Sequence, residues 1–89
     1  VLAVPEASSS EEAVALANDT PHGLAASLYT PDIRKALGGA RAIRAGTVTV
    51  NGYGEGESTT PFGGWGLSGF GDRDKGLEAR DQCTRVKSI

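Results

Sequence analysis

The sequence predicts an α/β fold: a short parallel sheet with covering helices. Three observations carry this. Strand-like and helix-like stretches alternate along the chain, which argues for parallel strands joined by right-handed crossovers. The strand-like runs are short, apolar and rich in β-branched residues. The intervening segments place apolar residues at helical spacing and begin on capping residues.

The first candidate strand is Val1-Leu2-Ala3-Val4, ended by Pro5. Ala7–Ser10 links it to a helix over residues 11–18, for which Ser9 with Glu12, or Ser8 with Glu11, has capping-box spacing. Asn18-Asp19-Thr20-Pro21 ends that helix, because proline cannot continue the ladder. Leu24 to Tyr29 reads as the second strand. Thr30-Pro31 reads as a helix start, a hydroxyl cap followed by proline at the first helical position. The second helix carries Ile33, Ala36, Leu37, Ala40 and Ile43 on one stripe, with Gly46 as its terminator. Gly38-Gly39 inside it costs about 1 kcal/mol per residue relative to alanine, which close packing would explain. Thr47 to Asn51 is the third strand. A glycine-rich loop follows over residues 52–71, then one or two helical turns over 75–80, then Thr84–Ile89, which alternates like a half-exposed strand. Two helices must cover three strands, so the chain reads as part of a larger domain.

Size and charge narrow the function. The chain has 89 residues, a net charge of −2 and 38% hydrophobic residues. It is at most one small domain with a marginal core. No basic patch could track a phosphate backbone, so nucleic acid is not an expected partner. No apolar run approaches the ~20 residues of a membrane span, and no secretion signal opens the chain. One cysteine excludes an internal disulfide framework and fits a reducing compartment, so the expected location is cytoplasmic. One cysteine and one histidine make no metal set. Position 1 is not methionine, which suggests that the native N-terminus lies upstream.

No catalytic constellation appears in the residues. Gly64-Trp65-Gly66-Leu67-Ser68-Gly69 matches the G-x-G-x-x-G pattern. A dinucleotide fingerprint, however, must follow a strand directly and open a helix. Here the nearest strand ends twelve residues earlier and no helix starts at Gly69, so the segment reads as a structural loop. Cys83 sits beside Asp81, which disfavours a thiolate, and reads as a buried or incidental residue. His22 reads as a turn residue. Glu55 and Glu57 could attract a cationic or amine-bearing substrate. Phe62 and Trp65 could anchor the loop or line a pocket.

Several ordered segments resemble the C-terminal part of the aldehyde dehydrogenase superfamily. They are Glu11–Pro21 with Gly23–Ala26; Arg44–Val48 with Val50-Asn51; Pro61-Phe62-Gly63-Gly64 with Ser68-Gly69 and Gly71; Arg73–Leu77; and Thr84–Ser88. The Gly54-Glu55-Gly56-Glu57 run most resembles members acting on γ-glutamyl or amino aldehydes. The resemblance implies a fragment of the catalytic domain over residues 1–83, a tunnel loop over 52–71, and a strand of the oligomerisation sheet over 84–89. It also implies that the dinucleotide-binding domain lies outside these 89 residues. It implies NAD(P)-dependent oxidation of an aldehyde to a carboxylic acid. In the family a cysteine thiolate attacks the aldehyde and a glutamate activates water; both lie upstream of this segment, as does most of the NAD or NADP site. The chain therefore has no catalytic, cofactor-binding or metal residue of its own and is expected to be inactive alone.

Residue by residue, Phe62 matches the phenylalanine at the floor of the substrate tunnel, while Tyr53, Glu55 and Glu57 fall on the loop at its mouth. Asn51 matches a residue that orders the strand end, and Arg73 with Asp74 a pair supporting the active-site floor. The implied partners are the remainder of the enzyme's own domains and a second copy, in a homodimer or homotetramer. Gly66, Cys83, Arg80 and the extra residue Asp72 depart from the family pattern. A reading from another class is a non-catalytic α/β scaffold or interaction module presenting the glycine loop.

Overall fold

A computed structural model describes residues 1–54 and 56–89. Its elements are α1 (Ser10–Asn18), β1 (His22–Gly23), β2 (Ala25–Leu28), α2 (Ile33–Ala42), β3 (Thr47–Val50), β4 (Trp65–Gly66) and a 3₁₀ helix, Leu77–Cys83.

The first helix is capped as its sequence requires. Ser9 Oγ accepts from the Glu12 backbone N–H, and the Glu12 carboxylate reaches back to the Ser8 N–H at 2.7 Å. Ser8 Oγ donates to the same carboxylate. These bonds hold the Glu12 carboxyl below its ordinary pKa. The second helix begins later than Thr30-Pro31 suggests. Asp32 is its cap, and one carboxylate oxygen accepts from both the Arg34 and Lys35 N–H groups. A charged acceptor with two donors outcompetes the Thr30 hydroxyl, which instead accepts from the Asp32 N–H. The helix ends at Ala42, so Gly46 is not its terminator.

β2 and β3 pair in parallel, Ala25 opposite Thr47 through Leu28 opposite Val50. They are the only parallel pair among the described residues. Val1–Val4 forms no strand, which corrects that expectation, and Thr84–Ile89, expected to pair with a neighbouring subunit, pairs with no segment of this chain. A strand exists through its ladder, and neither segment finds a neighbour in this chain. The short helix is also shifted, to Leu77–Cys83.

The second sheet departs further from expectation. His22–Gly23 pairs antiparallel with Trp65–Gly66, so His22 is a strand residue rather than a turn residue, and the glycine loop is stitched back to the end of α1. The Leu67 N–H donates to Pro21 O, and the Gly23 N–H donates to Ser68 Oγ. Gly66 is in the left-handed region, φ 59°, and a Cβ there would overlap Pro21 O. The G-x-G-x-x-G segment thus folds on its own chain. Backbones approach as closely at Gly46, where a Cβ would strike Gly63 O.

Only Ala36, Ile43 and Ala45 are buried apolar residues among those described. In α2, Gly39 faces Leu28 Cδ2, whereas Gly38 faces open space. Close packing therefore accounts for one of the two helix glycines. No helix among the described residues is long and apolar enough to cross a membrane.

Candidate functional site

The best-built part of the glycine loop is its base. Phe62 and Asp74 exchange two backbone hydrogen bonds of 2.6 Å each, an isolated antiparallel bridge. Two residues on, the Gly76 N–H donates to Ser58 O at 3.1 Å. The segment 74–76 is thereby zipped to the segment 58–62 at both ends. The Lys75 ammonium stands 5.2 Å from the centroid of the Phe62 ring, within cation–π range. Asp74 Oδ1 accepts from the Lys75 N–H, and Arg73 caps the Gly71 and Asp72 carbonyls. Phe62 is half-buried.

At the other end of the loop, Asn51 closes the strand. It lies at φ 52°, and its amide pairs with the Thr30 backbone twice. Oδ1 accepts from the Thr30 N–H at 2.8 Å, and Nδ2 donates to Thr30 O at 2.9 Å. The side chain thus prolongs the ladder by one residue after the backbone has turned away.

The remaining expected site residues are less constrained. Tyr53 is 94% exposed. Glu57 is exposed, with its carbonyl accepting from the Thr60 N–H in a tight turn. Glu55 lies outside the described residues. The structure brings none of Tyr53 and Glu57 into a cavity with Phe62. A groove of about 910 Å³ lies elsewhere, between the two helices and β2, lined by Val14, Ala17, Leu28, Gly38 and Ile43 among others. Cys83 is exposed at the end of the 3₁₀ helix, not buried.

Two positioning residues escape a reading of the sequence. Asn18 Oδ1 accepts from the Arg44 N–H at 2.7 Å while its Nδ2 donates to Ala42 O at 2.9 Å, tying the ends of both helices together. Lys75 stands with its ammonium 5.2 Å from the Phe62 ring centroid. An asparagine at a helix end and a lysine four residues beyond a glycine loop are the only signals, and both also occur on plain surfaces.

Among the described residues, the G-x-G-x-x-G segment packs against its own chain. The glycines that would face a pyrophosphate face Pro21 and Ser68 instead, and no helix N-terminus opens on them.

The family model described as "Aldehyde dehydrogenase family" matches residues 1–89. Aminoacetaldehyde dehydrogenase of Pseudomonas aeruginosa is 61% identical over 79 residues, covering 89% of this chain and 16% of that protein. The NADP/NAD-dependent aldehyde dehydrogenase PuuC of Escherichia coli is 45% identical over 89 residues, covering all of this chain and 18% of that one. Among solved structures, the AldA indole-3-acetaldehyde dehydrogenase of P. syringae, in complex with NAD+ and IAA, superposes with a TM-score of 0.84. It shares 53% identity over 91% of this chain and 16% of that chain. The chain therefore spans about a sixth of the length of these relatives.

Proposed function

We infer function from family: this chain belongs to the aldehyde dehydrogenase family, and we propose that it is the C-terminal part of the catalytic domain of an NAD(P)-dependent enzyme that oxidises an aldehyde to a carboxylic acid. The observation that carries this is the match of the whole chain, residues 1–89, to a family whose compared members are about six times longer. The nucleophile, the general base and the nicotinamide dinucleotide belong, on this reading, to the rest of the enzyme. The residues described here shape the cavity. Phe62 forms the tunnel floor, held by the Asp74 bridge. Tyr53 and Glu57 line the mouth, as the resemblance also implies for Glu55, and Asn51 fixes the strand from which the loop departs. Thr84–Ile89 joins a sheet with a neighbouring subunit in a homodimer or homotetramer.

The substrate class is an amino or γ-glutamyl aldehyde. Acidic residues on the loop would concentrate a cationic substrate at the mouth, and a 61% identical relative is an aminoacetaldehyde dehydrogenase. The test uses the intact enzyme carrying this segment. Phe62→Ala should raise KM or lower kcat by roughly tenfold, as loss of about 1.4 kcal/mol of transition-state contact would, with the melting temperature unchanged. An aminoaldehyde should be preferred to an uncharged aldehyde of equal length. Kinetics unmoved by Phe62→Ala would remove that residue from the tunnel.

A further inference from the structure

Two residues other than glycine lie in the left-handed region among those described, Asn51 at φ 52° and Lys75 at φ 65°. Cβ crowding disfavours this region for any residue except glycine, and lysine tolerates it less well than asparagine. The chain uses glycine at 13 positions, so glycine was accessible here as well. At Asn51 the reason for a side chain is plain, since its amide makes two backbone hydrogen bonds. At Lys75 the matching observation is the ammonium 5.2 Å from the Phe62 ring centroid. Asp74 and Gly76, on either side, are both bonded to the opposing segment, to Phe62 and to Ser58. Between them Lys75 is left-handed, and its ammonium stands over the Phe62 ring.

We propose that Lys75 is a positioning residue for the aldehyde site, holding the Phe62 ring in the orientation that shapes the tunnel floor. The proposal rests on the reading of Phe62 as a tunnel residue. Lys75 touches neither substrate nor cofactor; it acts through the ring. A ring held by backbone bonds alone keeps its Cα in place but rotates about its side-chain torsions. A cation over the face removes part of that freedom.

The test is steady-state kinetics of the intact enzyme with an aldehyde that fills the tunnel. Lys75→Gln should raise KM about two- to fivefold, the range expected for a partly exposed cation–π contact, with kcat little changed. Lys75→Arg, which keeps a cation, should restore it. Lys75→Gly relieves the backbone and so should fold at least as well as the parent, yet show the same rise in KM. In a Phe62→Leu background the effect of Lys75→Gln should vanish, because the face it acts on is gone. Unchanged KM in both Lys75→Gln and Lys75→Gly overturns the proposal, as does an effect that persists in the Phe62→Leu background. If Phe62→Ala is kinetically altered while the Lys75 variants are silent, only this proposal falls. If Phe62→Ala is itself silent, the tunnel reading falls and takes the proposal with it.

Discussion

Side-chain amides do in this chain what backbone cannot. Asn18 serves as acceptor for the Arg44 N–H and donor to Ala42 O, two groups left over where α2 ends. Removing the amide leaves both groups to bond water. Asn18→Ala should cost about 0.5–1.5 kcal/mol in the intact protein, read as a lower midpoint in denaturant. Asn18→Asp should rescue little, because the carboxylate keeps the acceptor but sets negative charge against the Ala42 carbonyl. Glu12 offers a pH test of the same kind. Hydrogen bonds from Ser8 lower its carboxyl pKa from the ordinary 4.5. A group lowered on folding adds stability that is fully present above its unfolded value and lost as pH falls through its folded value. The α1 N-terminus should therefore fray in acid below about pH 4.5. Protection of the Ser8 and Glu12 amides, relative to their intrinsic exchange at the same pH, should fall there, and Glu12→Gln should abolish the dependence.

Helix and strand bounds follow local chemistry, and that is why most of them can be read from the chain. The Ser9-to-Glu12 spacing yields α1, and the β-branched run Thr47–Val50 yields β3. Elements whose existence depends on a distant partner cannot be read this way. Two residues, His22 and Gly23, become a strand only because Trp65 and Gly66 lie beside them. Val1–Val4 has a strand's composition and no neighbour, so it is none. The site divides likewise. Phe62 stands out as a large ring among glycines, whereas the Asp74 bridge that fixes it joins residues twelve apart with no pattern to announce it. The glycines show what close approach demands, and they give a paired prediction. Gly46→Ala places a methyl on the Gly63 carbonyl, a backbone atom that cannot swing aside, and should cost at least 1–3 kcal/mol, roughly that of overpacking. Gly38→Ala meets nothing within 4 Å and lowers the entropy of the unfolded helix segment, so it should stabilise by about 1 kcal/mol. Thermal melts of the two variants, made in the intact enzyme, should move in opposite directions; a shared sign would refute the packing described here.

The molecule taken whole exposes more than a self-sufficient domain does. For 9.1 kDa, the usual area of a folded monomer is about 4,900 Å². This chain exposes 7231 Å², an excess of roughly 2,300 Å². That excess is larger than the total surface a standard protein–protein interface removes, about 1,600 Å². The radius of gyration tells the same story, 15.5 Å against about 12 Å for 89 residues in a compact domain. Phe70, Leu77, Val86 and Ile89 are among the fully or nearly fully exposed apolar side chains, and the two-stranded parallel sheet has an open edge on each side. Three buried apolar residues cannot offset the backbone entropy of ordering such a chain. Purified alone, the 89-residue chain should therefore show no cooperative melt, should bind a hydrophobic dye, and should elute as aggregates or as an expanded species. It should also produce no NADH or NADPH from any aldehyde. Supplied with the remaining polypeptide of a matching aldehyde dehydrogenase, it should gain a cooperative transition and aldehyde-dependent turnover together, because the surface that completes the fold also brings the reacting groups. A sharp two-state melt of the isolated monomer would show that the excess surface needs no cover, and the reading of this chain as one part of a larger catalyst would then lose its physical basis.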